Sequence, residues 1–131
     1  TLKTSINHTF SVIKYLENKR TSNFIYVLKY GKVVRIAVQE ITYLEGEGNY
    51  TYVHTQPGNR YLISKTLKKV HAILPGGFVR IHKSYTVNPD HVVAWLDPFL
   101  ILLSCGSKLR VARRRAHEAA YRLKAEYLGV G

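Results

Sequence analysis

Phe78-Val79-Arg80-Ile81-His82-Lys83-Ser84-Tyr85-Thr86-Val87-Asn88 alternates two kinds of side chain at the period of a strand. Phe78, Arg80, His82 and Ser84 share one parity, and Val79, Ile81 and Lys83 share the other. Because successive strand side chains point to opposite faces, Val79 and Ile81 can enter a core while Arg80 and His82 project away from it. Lys83 and Ser84 are then carried outwards at the far end. Asn88-Pro89-Asp90 closes the stretch, since Pro cannot donate to a ladder and Asn and Asp favour turns. The expectation is one central strand with a basic, hydroxyl-bearing end.

Working outward, β-branched and aromatic runs separated by turn residues recur on both sides. Phe24 to Tyr30 and Val33 to Val38 read as a hairpin joined at Gly31-Lys32. Ile41 to Glu45 and Tyr50 to Thr55 flank Gly46-Glu47-Gly48-Asn49, where both glycines read as turn formers able to take positive φ. Tyr61 to Ser64 follows the turn at Pro57-Gly58-Asn59. Between Thr66 and Leu74 the apolar Leu67, Val70, Ile73 and Leu74 share a helix face, with Ser64 or Thr66 as N-cap and Pro75-Gly76-Gly77 as stop. The outer face of that helix carries Lys68, Lys69 and His71.

Beyond the central stretch, His91 to Leu96, Phe99 to Ser104 and Lys108 to Val111 are short strands bounded by turns. Arg113 to Leu128 closes the chain as an amphipathic helix with Ala116, Ala119, Ala120, Leu123 and Tyr127 on one face. At the other end, Ile6, Phe10, Ile13, Tyr15 and Leu16 recur at about helical spacing, so residues 1–23 read as a short helix and linker ahead of a domain over residues 24–131. Many short strands with two or three helices predict a mainly β, antiparallel architecture.

The 131 residues suit one domain and can bury a core without metals or disulfides. The formal charge of +12 points to a polyanionic partner, because such a field costs self-repulsion and attracts phosphates. Residues 61–131 carry net +8 and residues 1–60 net +4, so the partner-facing charge is expected mainly in the second half. No apolar run reaches the roughly 18 to 20 residues that span a bilayer, and nothing resembles a signal peptide. With no methionine and a start at Thr1, the chain reads as a piece of a longer polypeptide. Cys105, the single cysteine, allows no intrachain disulfide and reads as a small buried hydrophobe on a strand.

Little in the sequence supports catalysis. The six histidines include no pair at metal spacing beside a Cys or Glu, and the only aspartates are Asp90 and Asp97. There is no nucleophile elbow, no Walker loop and no dinucleotide fingerprint. No enzyme activity, no metal and no cofactor are therefore expected. The polyanion argument leaves nucleic acids and anionic membranes. A membrane surface fits poorly, because the basic residues lie on strands and turns rather than along one lysine-lined amphipathic helix. An RNA or single-strand binder is the alternative, since ten tyrosines and four phenylalanines among basic residues could stack bases, although most of those tyrosines lie in strands beside Val and Ile.

The central stretch resembles the F-x-R-I-H-[RK]-S-Y-x-V-N signature of the LytTR family of bacterial DNA-binding output domains. Ile41-Thr42-Tyr43-Leu44-Glu45-Gly46-Glu47-Gly48-Asn49-Tyr50 resembles the family's I-x-Y-[IL]-E-A-x-G-N-Y segment, and Thr66-Leu67-Lys68-Lys69-Val70 its T-L-K-x-[LV] helix start. Leu109-Arg110-Val111-Ala112-Arg113-Arg114-Arg115 is similar to the closing L-P-V-S-R-R-Y, with Arg110 in place of the usual Pro and Ala112 in place of the usual Ser. The likeness runs in order over roughly residues 24 to 123.

The resemblance implies an elongated β-β-β arrangement that presents loops, not a recognition helix, to duplex DNA in the cytoplasm. It also implies paired direct repeats as target, a homodimer on DNA, and an upstream receiver or sensor segment in the full-length regulator. It places base contacts at Lys83, near Asn49 and Tyr50, and at Arg114 with Arg113 as companion. Ser84, beside Lys83, and Arg110, just before the arginine run, are expected to contact DNA as well. His82 has two readings, a DNA contact or a local packing and capping role. Lys68 and Lys69 are expected to face phosphates from their helix.

Overall fold

The computed structural model describes residues 23–56 and 58–127. Apart from Asn23, the expected N-terminal helix and linker lie outside them. The described chain forms β1 (Phe24–Lys29), β2 (Lys32–Ala37), β3 (Ile41–Glu47), β4 (Tyr50–Thr55) and β5 (Arg60–Ile63), then helix α1 (Leu67–Ile73). There follow β6 (Val79–His82), β7 (Tyr85–Val87), β8 (Val92–Asp97), β9 (Leu100–Leu103), β10 (Lys108–Arg110), α2 (Ala116–Leu123) and β11 (Glu126–Tyr127). The strands make a two-stranded sheet β1-β2, a five-stranded sheet β5-β4-β3-β7-β6 and a four-stranded sheet β10-β9-β8-β11. Every pairing between them is antiparallel except β11 with β8. The mainly β, antiparallel expectation is met.

Strand alternation places an apolar core on each face of the five-stranded sheet. On one face Leu44 and Val53 join Ile25, Val27, Ile36, Ile63, Leu67 and Val70, so β1, β2 and α1 cover that side. On the other, Val79, Ile81 and Val87 join Trp95, Ile101, Leu103, Leu109, Val111, Ala119 and Leu123 from the four-stranded sheet and α2. Tyr43, one residue from Leu44, packs against this second core.

α1 forms as its spacing predicts. Leu67, Val70 and Ile73 are buried, Thr66 Oγ1 accepts from the Lys69 N–H, and the chain turns extended at Leu74 before Pro75. Two glycines differ from one another. Gly48, at φ +61, makes the β3–β4 turn, whereas Gly46 is the second-last residue of β3 and has no positive φ. A Cβ at Gly46 would stand 2.8 Å from Leu67 Cβ, so this glycine permits close approach of α1 and is not a turn former. In the β1–β2 turn the left-handed pair is Tyr30-Gly31, at φ +52 and +77, one residue earlier than expected.

The central stretch is two strands. Residues 78–88 fold back as the β6–β7 hairpin with Lys83 and Ser84 at the turn, and β6 is an edge strand, while β3 is central. Alternation still holds within β6, where Val79 and Ile81 are buried. Phe78 precedes β6 and packs in the first core. The closing helix is shorter than its apolar spacing suggests. It ends at Leu123 because Lys124 turns left-handed at φ +51, and Tyr127 lies in β11. Ala120 is exposed, while Ala119 and Leu123 are buried. Cys105 is exposed in the β9–β10 turn beside Gly106 at φ +91, so it is not a buried strand residue.

Ile81 is fully buried on β6, whereas Val93 on β8 is 49% exposed. Ile81→Ala is expected to cost about 2 to 5 kcal/mol in chemical denaturation, and Val93→Ala under about 0.5 kcal/mol. Equal effects of the two would mean that the second core does not form around β6.

A candidate nucleic-acid interface

Three segments bearing the sequence-derived site residues are tied together by main-chain hydrogen bonds. The Gly46 N–H donates to Ser84 O at 2.8 Å, which sets the β3–β4 turn beside the β6–β7 turn. The Ala112 N–H donates to Ile81 O at 2.8 Å, which anchors the start of the arginine run on β6. Backbone bonds of this kind fix position without depending on long side chains.

The β6–β7 turn is shaped by its own side chains. Arg80 Nε donates to His82 O at 2.8 Å, and Arg80 Nη2 donates to Lys83 O at 2.6 Å. The Ser84 N–H lies 3.1 Å from His82 Nδ1. Because a backbone N–H can only donate, Nδ1 must be unprotonated, which leaves the neutral ring proton on Nε2. The His82 ring also rests on Tyr85 at 5.4 Å between centroids. Local capping is therefore what His82 does here. Burial, then the charges of Lys83, Arg115 and Arg80, hold its pKa below the ordinary value.

Gly46, Gly48, Thr66, Leu67, Lys68, Arg80, Lys83 and Ser84 line one shallow cleft. Lys68 and Lys83 thus meet there from the helix start and the hairpin turn. Asn49 and Tyr50 continue from the rim at Gly48, with Asn49 exposed and Tyr50 half-exposed. Arg80, Arg114, Arg115 and Glu118 line a second cleft. Arg80 belongs to both and joins them.

Arg113–Arg115 form a 3-10 turn running into α2. Neither the turn at Ala112 nor the helix at Arg115 has a side-chain cap. An alanine at 112 has no oxygen to cap with. Arg113 is exposed and lays its guanidinium over the Phe99 ring at 4.9 Å. Lys69 and Arg110 are exposed but line neither cleft, so the structure groups them less closely than Lys68, Lys83, Ser84 and Arg114.

The sequence marks Arg115 as part of the Arg113–Arg115 run but assigns no site role to Arg80. Arg80 was legible only as an outward residue of β6, and its fork to the turn depends on the hairpin. Arg115 lies in the cationic run, but its Nε is buried and makes no hydrogen bond. Among the described residues no group of three or more His, Cys, Asp and Glu is placed to hold a metal. No helix among them is long and apolar enough to cross a membrane.

These features define a β domain in which Lys68, Lys83 and Arg114 stand exposed at a helix start and on turns and line two shallow clefts. Comparison with known proteins makes this specific. Residues 31–124 match the LytTr DNA-binding domain family. The transcriptional regulatory protein LytR of Staphylococcus aureus strain MW2 is 31% identical over 93 residues, spanning 68% of this chain and 35% of that protein. LytR of strain N315 shows the same identity and coverage. The chain therefore spans about a third of the length of these curated relatives. A solved LytTr DNA-binding domain from Bacillus cereus has the same fold, with a TM-score of 0.68 at 21% identity over 78% of this chain and 97% of that one. The chain belongs to the LytTr DNA-binding domain family.

His82 gives a pH test. Its folded pKa lies below the unfolded value near 6.5, so the unfolded state takes up the proton first. The stability it contributes is present above about pH 6.5 and is lost as pH falls towards the folded value. His71 is depressed too, mainly by burial and then by Arg80 and Arg122, so it adds to the same trend. His82→Asn keeps an acceptor for the Ser84 N–H but does not titrate. Urea denaturation at pH 7.5 and 5.5 is expected to show a smaller loss of stability for His82→Asn than for the wild type, and an equal loss would exclude His82 from the pH response.

Proposed function

We propose that this domain is the sequence-specific duplex-DNA-binding module of a bacterial transcriptional regulator, reading the major groove with turns rather than with a recognition helix. The observation that carries the reading is the Gly46–Ser84 backbone bond, which holds the β3–β4 and β6–β7 turns together with Lys83 exposed between them. Lys83 reaches a base edge from one turn, Asn49 and Tyr50 from the other, and Arg114 from the start of the arginine run. Arg and Lys suit guanine O6 and N7, and Asn suits adenine N6 and N7. Ser84 and the Nε2–H of His82 add donors beside Lys83. Arg113 accompanies Arg114, and Lys68, Lys69 and Arg110 hold phosphates, which position the domain without reading sequence.

The regulatory setting follows the relatives. The matched LytR proteins are described as transcriptional regulatory proteins. On this reading, residues 24–131 are the output part of a longer cytoplasmic regulator that lacks enzymatic activity in this segment. An upstream receiver or sensor governs it, and two copies bind paired direct repeats as a homodimer. The geometry does not favour the single-strand alternative, because many rings are committed within the protein. Tyr43 stacks on His54 at 4.1 Å, Arg60 covers Tyr52 at 4.4 Å, and Lys29 lies over Tyr61 at 4.8 Å.

The test is a salt titration of binding to a cognate duplex, enriched from a random pool, and to its scrambled counterpart. Lys83→Ala and Arg114→Ala are each expected to cost about 1 to 3 kcal/mol on the cognate duplex and to relax preference at particular base pairs. Lys68→Ala and Lys69→Ala are expected to weaken both duplexes alike, and to lower the slope of log K against log salt by up to about one per lost phosphate contact. Equal losses on both duplexes for Lys83→Ala and Arg114→Ala would leave only a general basic surface.

A further inference from the structure

We infer that Arg80 is a positioning residue that sets base preference without touching a base, by fixing the backbone of the turn that carries Lys83. The inference rests on the reading of Lys83 given above. Lys83 is flanked by two peptide groups, one ending in His82 O and the other in Lys83 O. Arg80 donates to both, from Nε at 2.8 Å and from Nη2 at 2.6 Å. Fixing both peptide planes fixes the φ and ψ of the residue between them, and therefore the direction of its Cα–Cβ bond. The second peptide is held at its other end as well, since its N–H is that of Ser84 and faces His82 Nδ1 at 3.1 Å.

The turn needs such a brace. Lys83 has no turn preference and Ser84 only a weak one, and the β6–β7 register is irregular between Arg80 and His82, so neither local preference nor the ladder alone determines it. Ser84 O in turn accepts from the Gly46 N–H at 2.8 Å, so a shift in one turn is passed to the other. Arg80 also lies in both clefts, where charge alone would give it a phosphate role. A lysine separates the two roles. It keeps the charge, but its donors radiate from one nitrogen and cannot reproduce a planar fork across two carbonyls.

The experiment measures Arg80→Lys, Lys83→Ala and the double variant in the full chain, on cognate and scrambled duplexes at several salt concentrations. The ratio of the two affinities, taken on one preparation, cancels any unfolded fraction. Arg80→Lys is expected to lower the cognate-to-scrambled ratio about tenfold, equivalent to about 1.4 kcal/mol, with scrambled affinity and salt slope unchanged. In the Lys83→Ala background Arg80→Lys should lower the ratio no further, since nothing remains to be positioned. A wild-type ratio for Arg80→Lys, with a lowered ratio for Lys83→Ala, would overturn this inference alone. So would equal losses from Arg80→Lys on both duplexes, which would make Arg80 a phosphate contact. An unchanged ratio for Lys83→Ala would remove the base-reading role of Lys83, and the inference with it.

Discussion

One sheet packed on both faces is the constraint on which the rest of the domain depends. β3 supplies Leu44 to one core and Tyr43 to the other, so a slip of one residue would exchange the two sets of side chains. The register of β7 against β3 is pinned at both ends. At the far end the buried Asn88 donates its Nδ2–H to Ile41 O at 2.9 Å and its backbone N–H to Thr42 O at 3.1 Å, while its Oδ1 accepts from the Asp90 N–H. At the near end the Gly46–Ser84 bond does the same work. A buried amide without these partners would cost about 1 to 3 kcal/mol, so Asn88 specifies one register as well as stabilising it.

The site inherits its order from that frame. The β3–β4 and β6–β7 turns leave the same end of the sheet, and the arginine run reaches them because the Ala112 N–H is bonded to Ile81 O. Ile81 thus serves twice, with its side chain in the second core and its carbonyl fixing the third segment of the site. Gly46 adds a further link. Its missing side chain lets Leu67 approach, and this brings the start of α1, with Lys68, to the rim of the cleft.

How much of this was legible in the sequence depended on whether a feature was local. The alternation of Val79 and Ile81, the Leu67, Val70 and Ile73 face and the positive φ of Gly48 are local, and each reads directly, whereas the cap reads as Ser64 or Thr66 and only the structure selects Thr66. The break between His82 and Tyr85 is not local, because Lys83 carries no turn signal and Ser84 only a weak one, and the bend is held by the Arg80 fork and the His82 ring. Gly46 reads as a turn former for a related reason: its neighbour in space is Leu67, and nothing beside it in sequence shows that. The apolar spacing runs on past the last helix to Tyr127, although the left-handed Lys124 has already ended the helix. Of the site, exposed charges were legible as types, but their grouping into two clefts joined by Arg80 required the fold.

The arrangement of charge around α2 is costly by itself. Arg113, Arg114 and Arg115 precede a helix whose N-terminal dipole disfavours cations, and no side chain caps its first turn. Arg80 shares a cleft with Arg114 and Arg115, and burial and then Arg115 hold the Arg80 pKa below its ordinary value. The one carboxylate in that cleft, Glu118, is 3.8 Å from Arg122 on the next turn of α2, so its charge is shared. An exposed pair of that kind contributes little. A cleft built for stability alone would hold more acid or fewer arginines. On the proposed reading a DNA phosphate supplies the countercharge, and a guanine edge supplies acceptors for the arginines. Binding of DNA only to the folded state would then stabilise the fold by mass action, and would return what the cationic cleft costs the free domain.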